Sequence, residues 1–197
     1  MLLNELAKKY GTDKKIPDGI KCQNGLLGHG YTVHYEKILK NRNIKTMLEI
    51  GVSFGGSIKM WNEYFKGKCH ITGIDINEKR FRKKDLENKN IRIKLGSQSD
   101  VKFLKSLCDI KYDFIVDDGS HKSGDQIISF NNLFNNMNSG GVYIIEDLHV
   151  AKKTEHIFES INTNDEFYKL HLDETVIKNI KSVEFYESNK LCVIYRK

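Results

Sequence analysis

Thr46-Met47-Leu48-Glu49-Ile50-Gly51-Val52-Ser53-Phe54-Gly55-Gly56-Ser57 passes from a short apolar run, through a glycine-rich turn, into a segment where Ile58, Trp61 and Phe65 share one helical face. The run Thr46–Ile50 is too short for a helix. Its near-continuous apolarity predicts a strand buried on both faces. Glycines belong at such a strand-to-helix turn when a ligand must approach the backbone more closely than a Cβ permits. The spacing is not G-x-G-x-x-G, which weighs against a dinucleotide site.

The same alternation continues outward. Apolar runs rich in branched residues recur at 71–76, 91–95, 113–116 and 142–145. Between them lie stripes of helical period, Val101, Leu104 and Cys108 in one and Ile127, Phe130, Phe134 and Met137 in another. Strands alternating with helices imply right-handed crossovers and a parallel sheet. Residues 1–45 read as one or two helices plus a glycine-rich loop at 24–30, while 182–187 and 190–195 flank Ser188-Asn189 as a hairpin. The expectation is a single α/β domain over 1–197, with 1–45 as a helical and loop cover on a Rossmann-like core at 46–197. A mostly parallel, doubly wound sheet ending in an antiparallel hairpin resembles the layout of class I methyltransferases.

Composition excludes several classes. Of 197 residues, 39% are hydrophobic and 29% charged, enough apolar material for a core and too much for global disorder. No apolar run approaches the ~18 residues of a membrane span, and the start, Met1-Leu2-Leu3-Asn4-Glu5, carries an acid inside a short apolar stretch, unlike a signal peptide. Cys22, Cys69, Cys108 and Cys192 are scattered without metal spacing, which predicts buried reduced thiols and a cytoplasmic location. The net charge of +6 raises the question of a nucleic-acid partner. Its densest run, 78–85, reads as one helix with acids at both ends, a solvated face rather than a phosphate groove.

Chemistry-bearing residues gather at the predicted strand ends. Asp75 closes the second strand, and an acid about 20 residues beyond a glycine loop can accept both hydroxyls of an adenosine ribose. Ser97 and Gln98 follow the third strand, placed to hydrogen-bond a base, and Asp100 reads equally well as a helix N-cap. The fourth strand ends in Asp117-Asp118-Gly119-Ser120-His121 and the fifth in Glu146-Asp147-Leu148-His149. If these strands are neighbours, four carboxylates crowd one sheet edge. That is costly unless a cation neutralises them, and oxygen ligands suit Mg²⁺ or a similar hard ion. His121 shares a turn with Asp118 and could act as a base, with His149 as its rival.

Residues 10–14, 29–35, 48–56, 117–121 and 140–149 together resemble the macrocin O-methyltransferase-like group, S-adenosylmethionine-dependent enzymes that methylate sugar hydroxyls on macrolides or glycans. Larger members carry an additional N-terminal domain. The resemblance implies Asp118, Glu146 and Asp147 as Mg²⁺ ligands and His121 as the base. Glu49, Gly51, Ser53, Gly55, Asp75, Ser97, Gln98 and Asp117 are the expected cofactor residues. The partner expected is a sugar, nucleotide-sugar or glycan acceptor, with no nucleic acid and no membrane span, and a homo-oligomer is left open. A catechol-type O-methyltransferase, an RNA methyltransferase and a non-catalytic S-adenosylmethionine-binding subunit are the alternatives. The catechol type resembles D…D-N at these strand ends, where this chain has Glu146-Asp147.

Overall fold

The computed structural model describes residues 2–163 and 165–197, so that Met1 and Asn164 lie outside the described residues. Two helices, α1 (Leu3–Tyr10) and α2 (Tyr31–Leu39), precede β1 (Thr46–Ile50). Alternation follows through α3 (Gly56–Tyr64), β2 (His70–Asp75), α4 (Lys83–Leu86), β3 (Ile91–Leu95), α5 (Val101–Lys105), β4 (Tyr112–Asp117), α6 (Ser123–Leu133) and β5 (Met137–Ile145). The last elements are α7 (Lys152–Thr163), α8 (Glu166–Lys169), α9 (Glu174–Asn179), β6 (Ile180–Tyr186) and β7 (Leu191–Arg196).

Among the described residues, the strands form one sheet in the order β3-β2-β1-β4-β5-β7-β6. The first five are mutually parallel, and β7 runs antiparallel to both β5 and β6. Burial on both faces explains the continuous apolar strands. Met47, Phe114 and Val116 pack into one core with Trp61 and Tyr35, while Leu48, Ile50 and Ile115 pack into the other with Phe130 and Phe158. Trp61 is fully buried, edge-on to Tyr35 and Phe114 with ring centroids 5.0 and 5.6 Å away.

Two expectations fail locally. Residues 78–85 do not form one helix; only Lys83–Leu86 is helical. Upstream, the side-chain oxygens of Asp75 and Asn77 accept from the backbone N–H groups of Asn77 and Lys79, turns that compete with helix formation. Likewise, Met137 is not part of the α6 stripe. The helix ends at Leu133, a short 3₁₀ turn follows at Phe134–Asn136, and Met137 opens β5.

The sheet order places the site. Chain progression reverses at β1, which pairs with β2 on one side and β4 on the other. In open α/β sheets the crevice beyond the carboxyl ends at that reversal is where ligands bind.

Candidate active site

A cleft of about 760 Å³ opens there, lined by the turn after β1, the ends of β2 and β3, the loops after β4 and β5, and the segment between α1 and α2. Gly51 has φ 93°, and a Cβ on it would stand 2.1 Å from the Asp118 carbonyl oxygen. Glycine is therefore required because the β4 loop crosses the turn at this point. The turn is tied down by Asp75, whose Oδ2 accepts from the backbone N–H groups of Val52 and Ser53 at 3.0 Å each. Its Oδ1 accepts from the Asn77 N–H at 3.3 Å, and Asp75 lines the cleft. A carboxylate oxygen beside a glycine turn, with Ser53 and Ser97 on the same wall, fits the ribose of a nucleoside cofactor.

Of the other expected cofactor residues, Gln98, Asp117 and Glu49 are buried, and Gln98 lines the cleft. Asp100 is an N-cap, accepting from the N–H groups of Lys102 and Phe103. The Gln98 amide is spent internally. Its Nε2 donates to Asp117 Oδ1 at 3.1 Å and its Oε1 accepts from the Ser120 N–H at 2.6 Å. Asp117 is fully buried and accepts from the Ser129 hydroxyl at 2.7 Å; burial pushes its carboxyl up to about 6, with the Ser129 and Gln98 donors opposing. Asp117 and the Gln98 side chain thus brace the β3 and β4 loops. Glu49 is also fully buried, and both its carboxyl oxygens lack a hydrogen-bond partner. Burial pushes it up to about 7 against the pull of Lys14, with Asp118 adding to the rise.

At the β4 and β5 ends the expected crowding of acids is present, because those strands pair. Asp118, His121 and Asp147 can each bring one donor atom within 4.8 Å of the others. His121 Nε2 stands 3.9 Å from Asp118 Oδ1 and 3.8 Å from Asp147 Oδ2, and its Nδ1 is buried without a partner. His121 and Asp147 both hold left-handed backbone, φ 54° and 57°, a conformation uncommon outside glycine. The two carboxylates, facing a polar cleft with the imidazole beside them, fit a divalent cation that keeps water or substrate oxygens in its other positions. Glu146 is not in this group. It follows β5 with its side chain turned inward, 1% exposed, accepting from Lys14 Nζ at 2.8 Å and from the Tyr35 hydroxyl. His149 lies further out, Nδ1 3.9 Å from Asp147 Oδ1.

The segment between α1 and α2 supplies residues to which no role was assigned from sequence. Backbone bonds from His29 N–H to Asp13 O and from Thr32 N–H to Lys14 O, at 2.7 and 3.0 Å, clip its two ends together over the sheet edge. His29 Nδ1 and the Tyr31 hydroxyl reach Asp147 Oδ1 at 3.0 and 2.6 Å. Burial alone would raise the Asp147 carboxyl, yet these bonds and the nearby imidazoles hold it below the usual carboxylate range. His29 is raised in turn, chiefly by its bond to Asp147. Lys14 Nζ, 1% exposed, lies 2.6 Å from Asp118 Oδ2 and 3.8 Å from Glu49 Oε1. Burial would push this ammonium down, but the surrounding carboxylates hold it well above its ordinary value. The available signal was the demand for a cation among four acids. A lysine meets part of it.

No family model matches the chain. It is 36% identical over 161 residues to the 8-demethyl-8-(2-methoxy-alpha-L-rhamnosyl)-tetracenomycin-C 3'-O-methyltransferase of Streptomyces olivaceus. It is 34% identical over 161 residues to the demethylmacrocin O-methyltransferase of Streptomyces fradiae. Each match spans 76% of this chain but 37% of the relative. Among solved structures, MycE methyltransferase from the mycinamycin biosynthetic pathway, in complex with Mg, SAH and mycinamycin VI, superimposes with a TM-score of 0.77 at 24% identity. That likeness covers 100% of this chain and 54% of MycE and bears on the fold, which is that of the class I methyltransferases. The chain belongs to the macrocin O-methyltransferase-like family.

Proposed function

We propose that the chain is an S-adenosylmethionine-dependent, Mg²⁺-dependent O-methyltransferase acting on a sugar hydroxyl. The observation that carries this reading is the shared cleft: the ribose-type acceptor Asp75 and the group Asp118, His121 and Asp147 open onto one cavity. The Streptomyces olivaceus relative is named for methylating a compound whose rhamnosyl group is already attached to tetracenomycin C. A finished glycoside is therefore preferred over a nucleotide-sugar as acceptor. Residues 1–45 and 46–197 act as one domain, the former covering the acceptor end of the cleft. Among the described residues no helix is long and apolar enough to cross a membrane. Four free cysteines accord with the reducing cytoplasm.

In this mechanism S-adenosylmethionine supplies a sulfonium methyl group, and a divalent cation supplies positive charge that lowers the pKa of an acceptor hydroxyl. Asp118 and Asp147 would hold the cation. Tyr31 and His29 fix the Asp147 carboxylate. His121 Nε2, not within hydrogen-bond distance of either acid, takes the hydroxyl proton, a step worth about 10²–10⁴-fold. Asp75 holds the turn after β1 and would orient the nucleoside of the cofactor.

The test is transfer of labelled methyl from S-adenosylmethionine into a panel of glycosides and nucleotide-sugars, followed by location of the label. Methylation of a sugar oxygen upholds the reading. Tight cofactor binding with no transfer to any member would favour a non-catalytic binding subunit.

A further inference from the structure

Lys14 stands apart from the roles described so far. A lysine is almost never fully buried unless paired, and here the ammonium meets three carboxylates, on Asp118, Glu146 and Glu49. It reaches them from a short segment held in place through the Lys14 carbonyl, which accepts from the Thr32 N–H. Asp147 is provided for separately by Tyr31 and His29. Asp118 therefore serves two sets at once. Its Oδ2 accepts from Lys14, and its Oδ1 faces His121 in the group open to the cleft. Glu146, an acid expected beside that group, is held back by the same ammonium and by the Tyr35 hydroxyl.

We propose that the Lys14 ammonium is the resident counter-ion of the acidic centre, competing with a divalent cation for Asp118 and Glu146 and so limiting how tightly that cation is held. The proposal rests on the metal-dependent reading of the site. A lysine charge that holds the acids together lets the chain fold without metal. The same charge repels an ion arriving on Asp118 and denies it Glu146. Its removal frees both carboxylates for the ion, and a ligand that binds only the folded state then stabilises it further.

The experiment titrates the full chain with Mn²⁺, following free Mn²⁺ by electron paramagnetic resonance, and measures the melting temperature with and without the ion. Lys14→Met and Lys14→Gln are expected to bind Mn²⁺ at least about tenfold more tightly than wild type and to gain more in melting temperature from it. Lys14→Arg, which keeps the charge, should retain wild-type affinity. A merely structural lysine would give weaker or unchanged Mn²⁺ binding in the folded variants, and that result overturns the proposal. If Lys14→Met is unfolded without metal, recovery of its fold by Mn²⁺ supports the proposal and failure to recover contradicts it. Tight binding in wild type with no gain in the variants rejects Lys14 alone. Binding in Lys14→Met but not in wild type upholds the competition and rejects metal dependence of the native reaction. Binding in neither rejects both.

Discussion

The Tyr31 hydroxyl donates to Asp147 Oδ1 at 2.6 Å, joining the start of α2 to the turn that follows β5. The bond helps hold the Asp147 carboxyl below its ordinary value of 3.8, so the contribution is present above that value and is lost as pH falls through the folded-state pKa. Tyr31→Phe should therefore destabilise the protein by about 1.5–3 kcal/mol at neutral pH, the worth of a hydrogen bond to a charged group. The difference from wild type should shrink as pH drops below 3.8. Urea unfolding of both proteins at pH 7 and at pH 3 measures it. An equal gap at both values would separate Tyr31 from the charge on Asp147.

Asp75 has two duties, and a substitution should disclose both. Asp75→Ala removes an acceptor for the ribose and two bonds that hold Val52 and Ser53. Calorimetry with S-adenosylhomocysteine should show binding weakened by about 1.5–3 kcal/mol. Asp75→Asn keeps an acceptor for the two backbone N–H groups and should fall between wild type and Ala. Unchanged affinity in the Ala variant would remove Asp75 from the cofactor site.

His121 and His149 flank the same carboxylate, with His149 the more exposed at 44% against 30%. His121→Ala should lower turnover by about 10²–10⁴-fold and leave cofactor binding intact. His149→Ala should retain most of the activity. Initial rates on a common acceptor decide between them, and the reverse pattern would exchange their roles.

Legibility from sequence followed the physics of each element. Thr46–Ile50 and the turn after it were readable because a strand buried on both faces leaves a continuous apolar run and a sharp turn leaves glycines. Asp118 and Asp147 were readable because chain order in a parallel sheet sends successive strand ends to one edge. The fate of Glu146 was not. Both acids lie beyond β5, where Asp147 turns into left-handed backbone, so adjacency to Asp147 could not tell which acid faces the cleft. Nor did any period or spacing assign a role to Lys14, His29 or Tyr31, which reach the acids from more than a hundred positions away. At Gly51 the structure shows a demand the spacing did not carry, since its missing Cβ makes room for the Asp118 carbonyl.

Methyl transfer assisted by a divalent ion at Asp118 and Asp147 is tested by stripping bound metal and following labelled methyl transfer with and without added Mg²⁺. Transfer should disappear in excess chelator while S-adenosylhomocysteine binding persists, and Mg²⁺ should restore it in wild type but not in Asp118→Asn. Full turnover in chelator after metal removal would rule out the divalent ion and leave His121 to act by proton transfer alone.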